Sequence, residues 1–546
     1  MKLSVLAASL AIATGAAAAK PAAPFMWENA TVYFLLTDRF HNGDPRNDLA
    51  YGRKADAAPM RGYMGGDLAG ITEKIRSGYF RDLGVDALWI TPPVEQIHGS
   101  VDEGTGKSYG FHGYWAKDFT AVDASLGTEA DVRKLVDTAH AHGIRVLLDV
   151  VMNHTGPVTA TDPVWPADWV RTGPKCTYKD AKTTIECTLV ENLPDILTES
   201  DAAVELPPHL AAKWKKEGRY EREMAELDEF FRRTGYPRAP RYYLMKWHAD
   251  WVRKYGFDGF RADTVKHTEA GVWKELKTVA SEAYEDWKRA NPSKKLGDEK
   301  FYMTSEVYHY GISHGDRFDN GGKVIDYFDH GFDSMINFQA KTDAAKGYEQ
   351  MFSDYSSRLN GWNRGTVLNY LSSHDDGGPF DKLRTKPFET ANKLLLAPGA
   401  AQIYYGDETA RVLQVEGAEG DANLRSPMNW KELAANAKRD GYRVADVRKH
   451  WSRLGQFRKA HVSIGAGVHE KIADAPYTFK RSYSKGNVSD KVVVAIDAPK
   501  GAAIDVGGAF TDGTRVRDHY SGARGVVAKG KVRFPASGRV ILVAAD

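Results

Sequence analysis

The sequence predicts an α/β protein with a parallel sheet, on three observations. Eight short apolar runs recur along the first 460 or so residues. Helical patterns separate them, and the crossovers are long enough for parallel pairing. The runs are TVYFLL (31–36), VDALWI (85–90), IRVLLDVV (144–151), FDGFRAD (257–263), FYMTSE (301–306), SMINF (334–338), TVLNYLSS (366–373) and AQIYYG (401–406). In TEADVRKLVDTAHAHG the apolar residues Val132, Leu135, Val136 and Ala139 fall on one helical face. Thr128 can cap its start and Gly143 its end. His140 and His142 on this helix are expected to face solvent. In YLMKWHADWVRKYG, Leu244, Trp247 and Trp251 share a face, and Gly256 marks the stop. Eight such units suggest a (β/α)₈ barrel, although a doubly wound sheet shares the alternation.

One gap breaks the rhythm. Roughly a hundred residues separate the third run from the fourth, far more than one crossover helix needs. The surplus holds several prolines, a charged helical stretch and both cysteines, and reads as an inserted domain. Beyond residue 460 short β-like runs lie between glycines. The expected organisation is a leader over 1–19, a barrel over 20–153 and 241–459, an inserted domain over 154–240, and a C-terminal antiparallel β domain over 460–546.

The chain of 546 residues carries 74 Lys+Arg against 72 Asp+Glu, a net charge of +2, which argues against a dedicated nucleic-acid binder. MKLSVLAASLAIATGAAAAK pairs a lysine with a short apolar run and a small-residue end, as a secretory leader does. That run is too short to span a bilayer, and no later stretch is long enough either. Export makes a disulfide between Cys176 and Cys187 the expectation. The 13 Trp and 26 Tyr suit either a large core or flat platforms for sugar rings.

The chemistry gathers where the runs end. The third ends in Asp149, followed by Asn153 and His154; the fourth places Arg261 and Asp263 on one face; the fifth ends in Glu306; the seventh leads to His374 and Asp375. In a barrel those ends converge on one mouth. One buried carboxylate is usually a structural ion pair, and Arg261 offers Asp263 such a partner. Several at one mouth crowd like charges at a cost, which points to use. Paired carboxylates suit glycoside hydrolysis, one as acid and base, the other as nucleophile. Arg261 would keep Asp263 ionised, and the apolar surroundings of Glu306 would raise its pKa.

DVVMNH, GFRADTVKH, SEVY and SSHD resemble, in order and spacing, four signature segments of the α-amylase family, glycoside hydrolase family 13. LPDI (193–196) resembles a fifth, and IYYGDE (403–408) fits the eighth strand; the resemblance spans roughly 30–460. TDRFHNGDPRND, LPDILTES and LAPGAAQIYYGDE are similar to the periplasmic members from Gram-negative bacteria, and the N-terminal part also to cyclodextrin glycosyltransferases. The resemblance implies a retaining hydrolase of α-1,4-glucans or maltodextrins. Asp263 would be the nucleophile and Glu306 the acid/base, their carboxyls about 5–5.5 Å apart. Asp375 would stabilise the transition state. Arg261, His154 and His374 would surround the reacting sugar, supported by Asp149, with Lys266 and His267 toward the next subsite. Trp115 would join the substrate-binding set. Phe111 would take the stacking position, where the family commonly has tyrosine. Transfer to an acceptor sugar by the same residues is the alternative, and a non-catalytic glucan-binding relative a further one.

HNGDPRND gathers hard oxygen ligands that suit calcium, although such residues also form polar turns. The resemblance implies ligands Asn42, Asp44, Asn47, Asp48, the Gly65 carbonyl and Asp67, and a second structural calcium on Asn153, Asp195 and the His267 carbonyl. The expected protein is a periplasmic monomer, with secretion to the medium the alternative, acting on an α-glucan with no nucleic-acid or membrane partner.

Overall fold

The computed structural model describes residues 24–362, 364–535 and 538–546. The leader expected over 1–19 lies outside them. Eight parallel strands close into a barrel: β1 (Thr31–Leu35), β2 (Ala87–Ile90), β3 (Arg145–Val150), β4 (Gly259–Ala262), β5 (Tyr302–Ser305), β6 (Ser334–Asn337), β7 (Thr366–Asn369) and β8 (Ala400–Tyr404). Neighbours in the ring are neighbours in sequence, and β8 returns to β1 with Thr31 opposite Ala401. The doubly wound alternative is thereby excluded. Every residue of these strands is buried, because the strand interior faces a packed core and the exterior faces helices.

Seven of the eight strands are followed by a long helix: α1 (Leu68–Arg76), α2 (Glu129–Ala141), α3 (Pro240–Tyr255), α4 (Ala270–Ala290), α5 (Tyr348–Gly361), α6 (Pro387–Leu395) and, after β8, α7 (Val444–Ala460). Thr128 caps α2 and Asp131 returns the bond, a reciprocal pair that fixes the start of the helix. His140 is the exception to expectation on this helix. It is buried, and its Nε2 lies 2.9 Å from Asp258 Oδ2, because α2 packs where β4 begins. His142 is half-buried, with Nδ1 2.8 Å from the Thr138 carbonyl. The connection from β5 to β6 also departs from the helical pattern: among the described residues it holds short 3₁₀ turns and a hairpin, Phe318–Asn320 with Lys323–Ile325.

Between β3 and α3 the chain builds the insert. It includes a short antiparallel pair (Val170–Arg171 with Asp195–Ile196), two helices (Pro208–Lys216 and Tyr220–Thr234), and a loop closed by the Cys176–Cys187 disulfide. After α7 the chain turns antiparallel. Strands β9 (Val468–Asp474), β10 (Tyr477–Lys485), β11 (Val488–Ala498), β12 (Arg515–Asp518), β13 (Arg524–Val526) and β14 (Arg539–Ala545) form one sheet in the order β9-β10-β11-β14-β12-β13. Among the described residues no helix is long and apolar enough to cross a membrane.

Candidate active site

The register of the barrel sets the site. Arg261 on β4 lies opposite Asp149 on β3 and Thr304 on β5. Past the strand ends, the Asp263 amide donates to the Val150 carbonyl and the Glu306 amide to the Ala262 carbonyl, both at 2.9 Å. Adjacent strands therefore hold the two carboxylates at one height. One guanidinium then serves three acids. Arg261 Nη1 reaches Asp263 Oδ1 at 2.6 Å and Asp149 Oδ1 at 2.9 Å, while Nη2 lies 3.0 Å from Glu306 Oε1. Arg261 is 1% exposed, so these pairs are scarcely screened.

Burial raises the Glu306 carboxyl well above its ordinary range; Arg261 opposes this, and Asp263 and Asp375 add to it. Glu306 thus keeps its proton where a free carboxylate has lost it, as an acid catalyst must. Asp149 is also raised by burial. It accepts from Trp89 Nε1 and the Tyr114 hydroxyl, each at 2.9 Å, and is a fixed support rather than an open group.

Asp375 arrives from the loop after β7. Its side chain is 32% exposed, against 9% for Asp263 and 8% for Glu306, so of these acids it is the one facing the open cleft. His374 beside it is buried and pushed down by burial, then by Arg425 and Arg261; His154 is likewise lowered by burial. Both rings are neutral at neutral pH and available as hydrogen-bond partners. His154 Nε2 lies 3.1 Å from the Tyr114 carbonyl.

The aromatic groups fall differently from expectation. Phe111 is 3% exposed and its ring is covered by the Arg39 guanidinium, 3.8 Å from the ring centroid. A ring so covered is no open platform. Tyr114, three residues on, is instead the ring at the site, with its hydroxyl on Asp149 and its face beside His374 at 5.4 Å. Trp115 packs with Ile97 and Leu193 in a small cluster shared with the insert, which makes it a wall and not a binding face. Lys266 and His267 follow β4. Burial lowers both pKa values, and His267 Nδ1 lies 2.8 Å from the Thr184 carbonyl in the disulfide loop. Lys266 Nζ lies 5.8 Å from the Tyr178 ring and 5.3 Å from the Tyr308 ring, both of them exposed.

The residues that resemble calcium ligands do not all behave alike. In the 42–67 loop, the side-chain carbonyl oxygens of Asn42 and Asn47 are buried without a hydrogen-bond partner. Gly65 (φ +85°) abuts Asn42 and Asp48 so closely that a Cβ there would lie 2.8 Å from Asp48 Oδ1. Two orphaned amide oxygens beside a carboxylate and a main-chain turn fit a hard cation. Asp67 is also buried here, but it is committed to the amides of Gly43, Asp44 and Gly70. Asp44 does not converge with the others: Arg46 binds its carboxylate through two bonds of 2.7 Å at the surface. In the second set Asn153 and Asp195 are neighbours, since Ile196 donates to the Asn153 carbonyl at 2.8 Å. Asp195, however, already has a cation, with Arg171 Nε 2.8 Å away. That set does not offer a free carboxylate to a metal. Among the described residues no three His, Cys, Asp or Glu side chains group as a metal centre, so the first set would rely on the asparagine and main-chain oxygens beside the single carboxylate of Asp48.

Comparison with known proteins agrees with this geometry. Residues 34–174 match the family model of the alpha-amylase catalytic domain. The chain is 39% identical over 539 residues to the periplasmic alpha-amylase of Escherichia coli K12, covering 86% of this chain and 72% of that one. The chain belongs to the alpha-amylase family. A cyclomaltodextrin glucanotransferase of Paenibacillus macerans is 27% identical, covering 93% of this chain and 66% of its own length. In fold, an Anoxybacillus alpha-amylase superposes with a TM-score of 0.65 at 23% identity, covering 96% of this chain and 99% of that one. A cyclomaltodextrin glucanotransferase of three-domain ABC distribution superposes with a TM-score of 0.64 at 20% identity, covering 95% of this chain and 99% of that one.

Three groups of this alpha-amylase family member escaped sequence reasoning. Tyr114 was visible only as part of GFHGYW, where parity on a loop does not say which ring faces the cleft. Arg425, whose Nε donates to the His374 carbonyl at 2.9 Å, lies 51 residues further along the chain. Tyr178 sits in an insert with no periodic signal.

Proposed function

We propose that this protein hydrolyses α-1,4-glucosidic bonds of maltodextrins by double displacement, retaining the anomeric configuration. The observation that carries the reading is the shared guanidinium: Arg261 holds Asp263, Glu306 and Asp149 together at one barrel mouth. Asp263 Oδ attacks the anomeric carbon as Glu306 gives its proton to the leaving oxygen, and the glycosidic C–O bond breaks. Glu306, now a carboxylate, takes a proton from water, which attacks the same carbon and releases Asp263. Asp375 faces the sugar hydroxyls from the open side, and neutral His154 and His374 bond to them without adding charge. Calcium bound by Asn42, Asn47, Asp48 and the Gly65 carbonyl would supply positive charge that ties this loop together. The leader-like start and the periplasmic relative support export to the periplasm.

The test is product analysis on linear maltodextrins. Shorter chains released first as the α-anomer are expected. Release of the β-anomer first, or no turnover by folded protein, sinks the reading.

A second reading, glucosyl transfer, is favoured by one feature. Tyr178 and Tyr308 flank the Lys266 amine with exposed rings, a platform for an acceptor sugar on the leaving-group side. Tyr308→Ala is expected to lower the ratio of transfer to hydrolysis about 10-fold, the worth of one stacking contact of about 1.4 kcal/mol. Chromatography of products longer than the substrate reads this ratio. An unchanged ratio removes the acceptor role.

A further inference from the structure

The guanidinium of Arg39 occupies a junction that the chemistry above does not use. It is 2% exposed and makes contacts in four directions. Toward the 42–67 loop, Nη1 donates to the Gly62 carbonyl and Nη2 to the Met60 carbonyl, both at 2.8 Å. It pairs with its neighbour Asp38, whose carboxylate accepts from the amides of Met64 at 2.9 Å and Gly65 at 3.2 Å. Toward the cleft, Nε donates to the Arg425 carbonyl at 2.8 Å, and the plane lies on the Phe111 ring. Arg425 in turn donates to the His374 carbonyl, next to Asp375.

We propose that Arg39 is a positioning residue that couples the 42–67 calcium loop to the glucan-binding side of the cleft. The Asp38–Arg39 pair touches the main chain at Gly65, a candidate metal ligand, and the main chain at Arg425, which anchors His374. A cation that orders the loop fixes the carbonyls on which the guanidinium rests. The guanidinium then fixes Phe111 and the Arg425 segment. A planar fork with five donors can serve these acceptors together, whereas an ammonium cannot. Coupling is reciprocal, so a bound glucan tightens the hold on calcium as calcium tightens the hold on glucan.

This inference rests on the amylase reading above, and its test separates the two. Chelator-treated Asp263→Asn protein is titrated with calcium by calorimetry, with and without saturating maltohexaose, and the titration is repeated with Arg39→Lys added. Maltohexaose is expected to tighten calcium binding at least about 5-fold in the first protein, the lower end of measured couplings, and by less than about 2-fold in the second. An Arg39 that is merely structural would lower the melting temperature and leave the ratio of the two affinities unchanged, and that result overturns the proposal. Calcium binding that is absent, or indifferent to glucan in the Arg39 protein, overturns it without recourse to the variant. Absence of maltohexaose binding removes the amylase reading, and the coupling with it.

Discussion

Asp263→Asn is expected to lower kcat on maltodextrins by about 10⁴–10⁶-fold, the range seen when a covalent nucleophile is removed. The substitution keeps size and shape. The amide carbonyl still accepts from Arg261 Nη1, now 2.6 Å from Asp263 Oδ1, so the strand end stays in place. What is lost, on the proposed mechanism, is the negative charge that would attack the anomeric carbon and then hold it as an ester. Binding of maltodextrin should survive, because Asp375, His154 and His374 are untouched. Steady-state rates measured beside calorimetric affinity check both halves. Residual activity within 100-fold of the parent, with the protein folded, would assign the nucleophile elsewhere.

Arg261→Met is expected to cost about 3–5 kcal/mol of stability near neutral pH, together with all measurable activity. The deletion strands three buried carboxylates, Asp149, Asp263 and Glu306, beside one another. Arg261 lowers the pKa of Asp149 and Glu306, so its loss raises both further above the unfolded values near 4. The folded protein then binds more protons than the unfolded chain over the intervening pH range, and stability falls as pH rises through it. The deficit relative to the parent should therefore be largest at pH 8 and smaller at pH 5. Urea denaturation at the two values reads the difference. An equal deficit at both would mean that lost packing, and not uncompensated charge, dominates.

Much of the fold was legible in the sequence because its signals are local. A buried barrel strand is a short apolar run between polar turns, and all eight runs became strands. The acids were legible for a related reason. Alternation along a strand puts Arg261 and Asp263 on one side, and a carboxylate that ends a run is out of place unless it is used. Loops carry no such rule. Phe111 and Tyr114 differ by three positions in one turn, and only the arrival of Arg39 from after β1 decides which ring is covered. Asp44 reads as a ligand in HNGDPRND, yet Arg46, two residues away, takes it first. His140 looked exposed because its helix was read alone, and Asp258 comes from another part of the chain.

The order of strands around the ring has a consequence for how the chain is made. Each strand from β2 to β8 can dock on the one synthesised just before it. The final pairing joins Thr31 to Ala401, so β1 must wait for almost the whole barrel to emerge. Until then the growing sheet has two unpaired edges, one of them at the very start of the chain, and both can bond to a neighbouring molecule. A chain cut short before β8 never closes them. Completion of the ring, and not the formation of any single strand, is what turns a sticky nascent sheet into a finished enzyme.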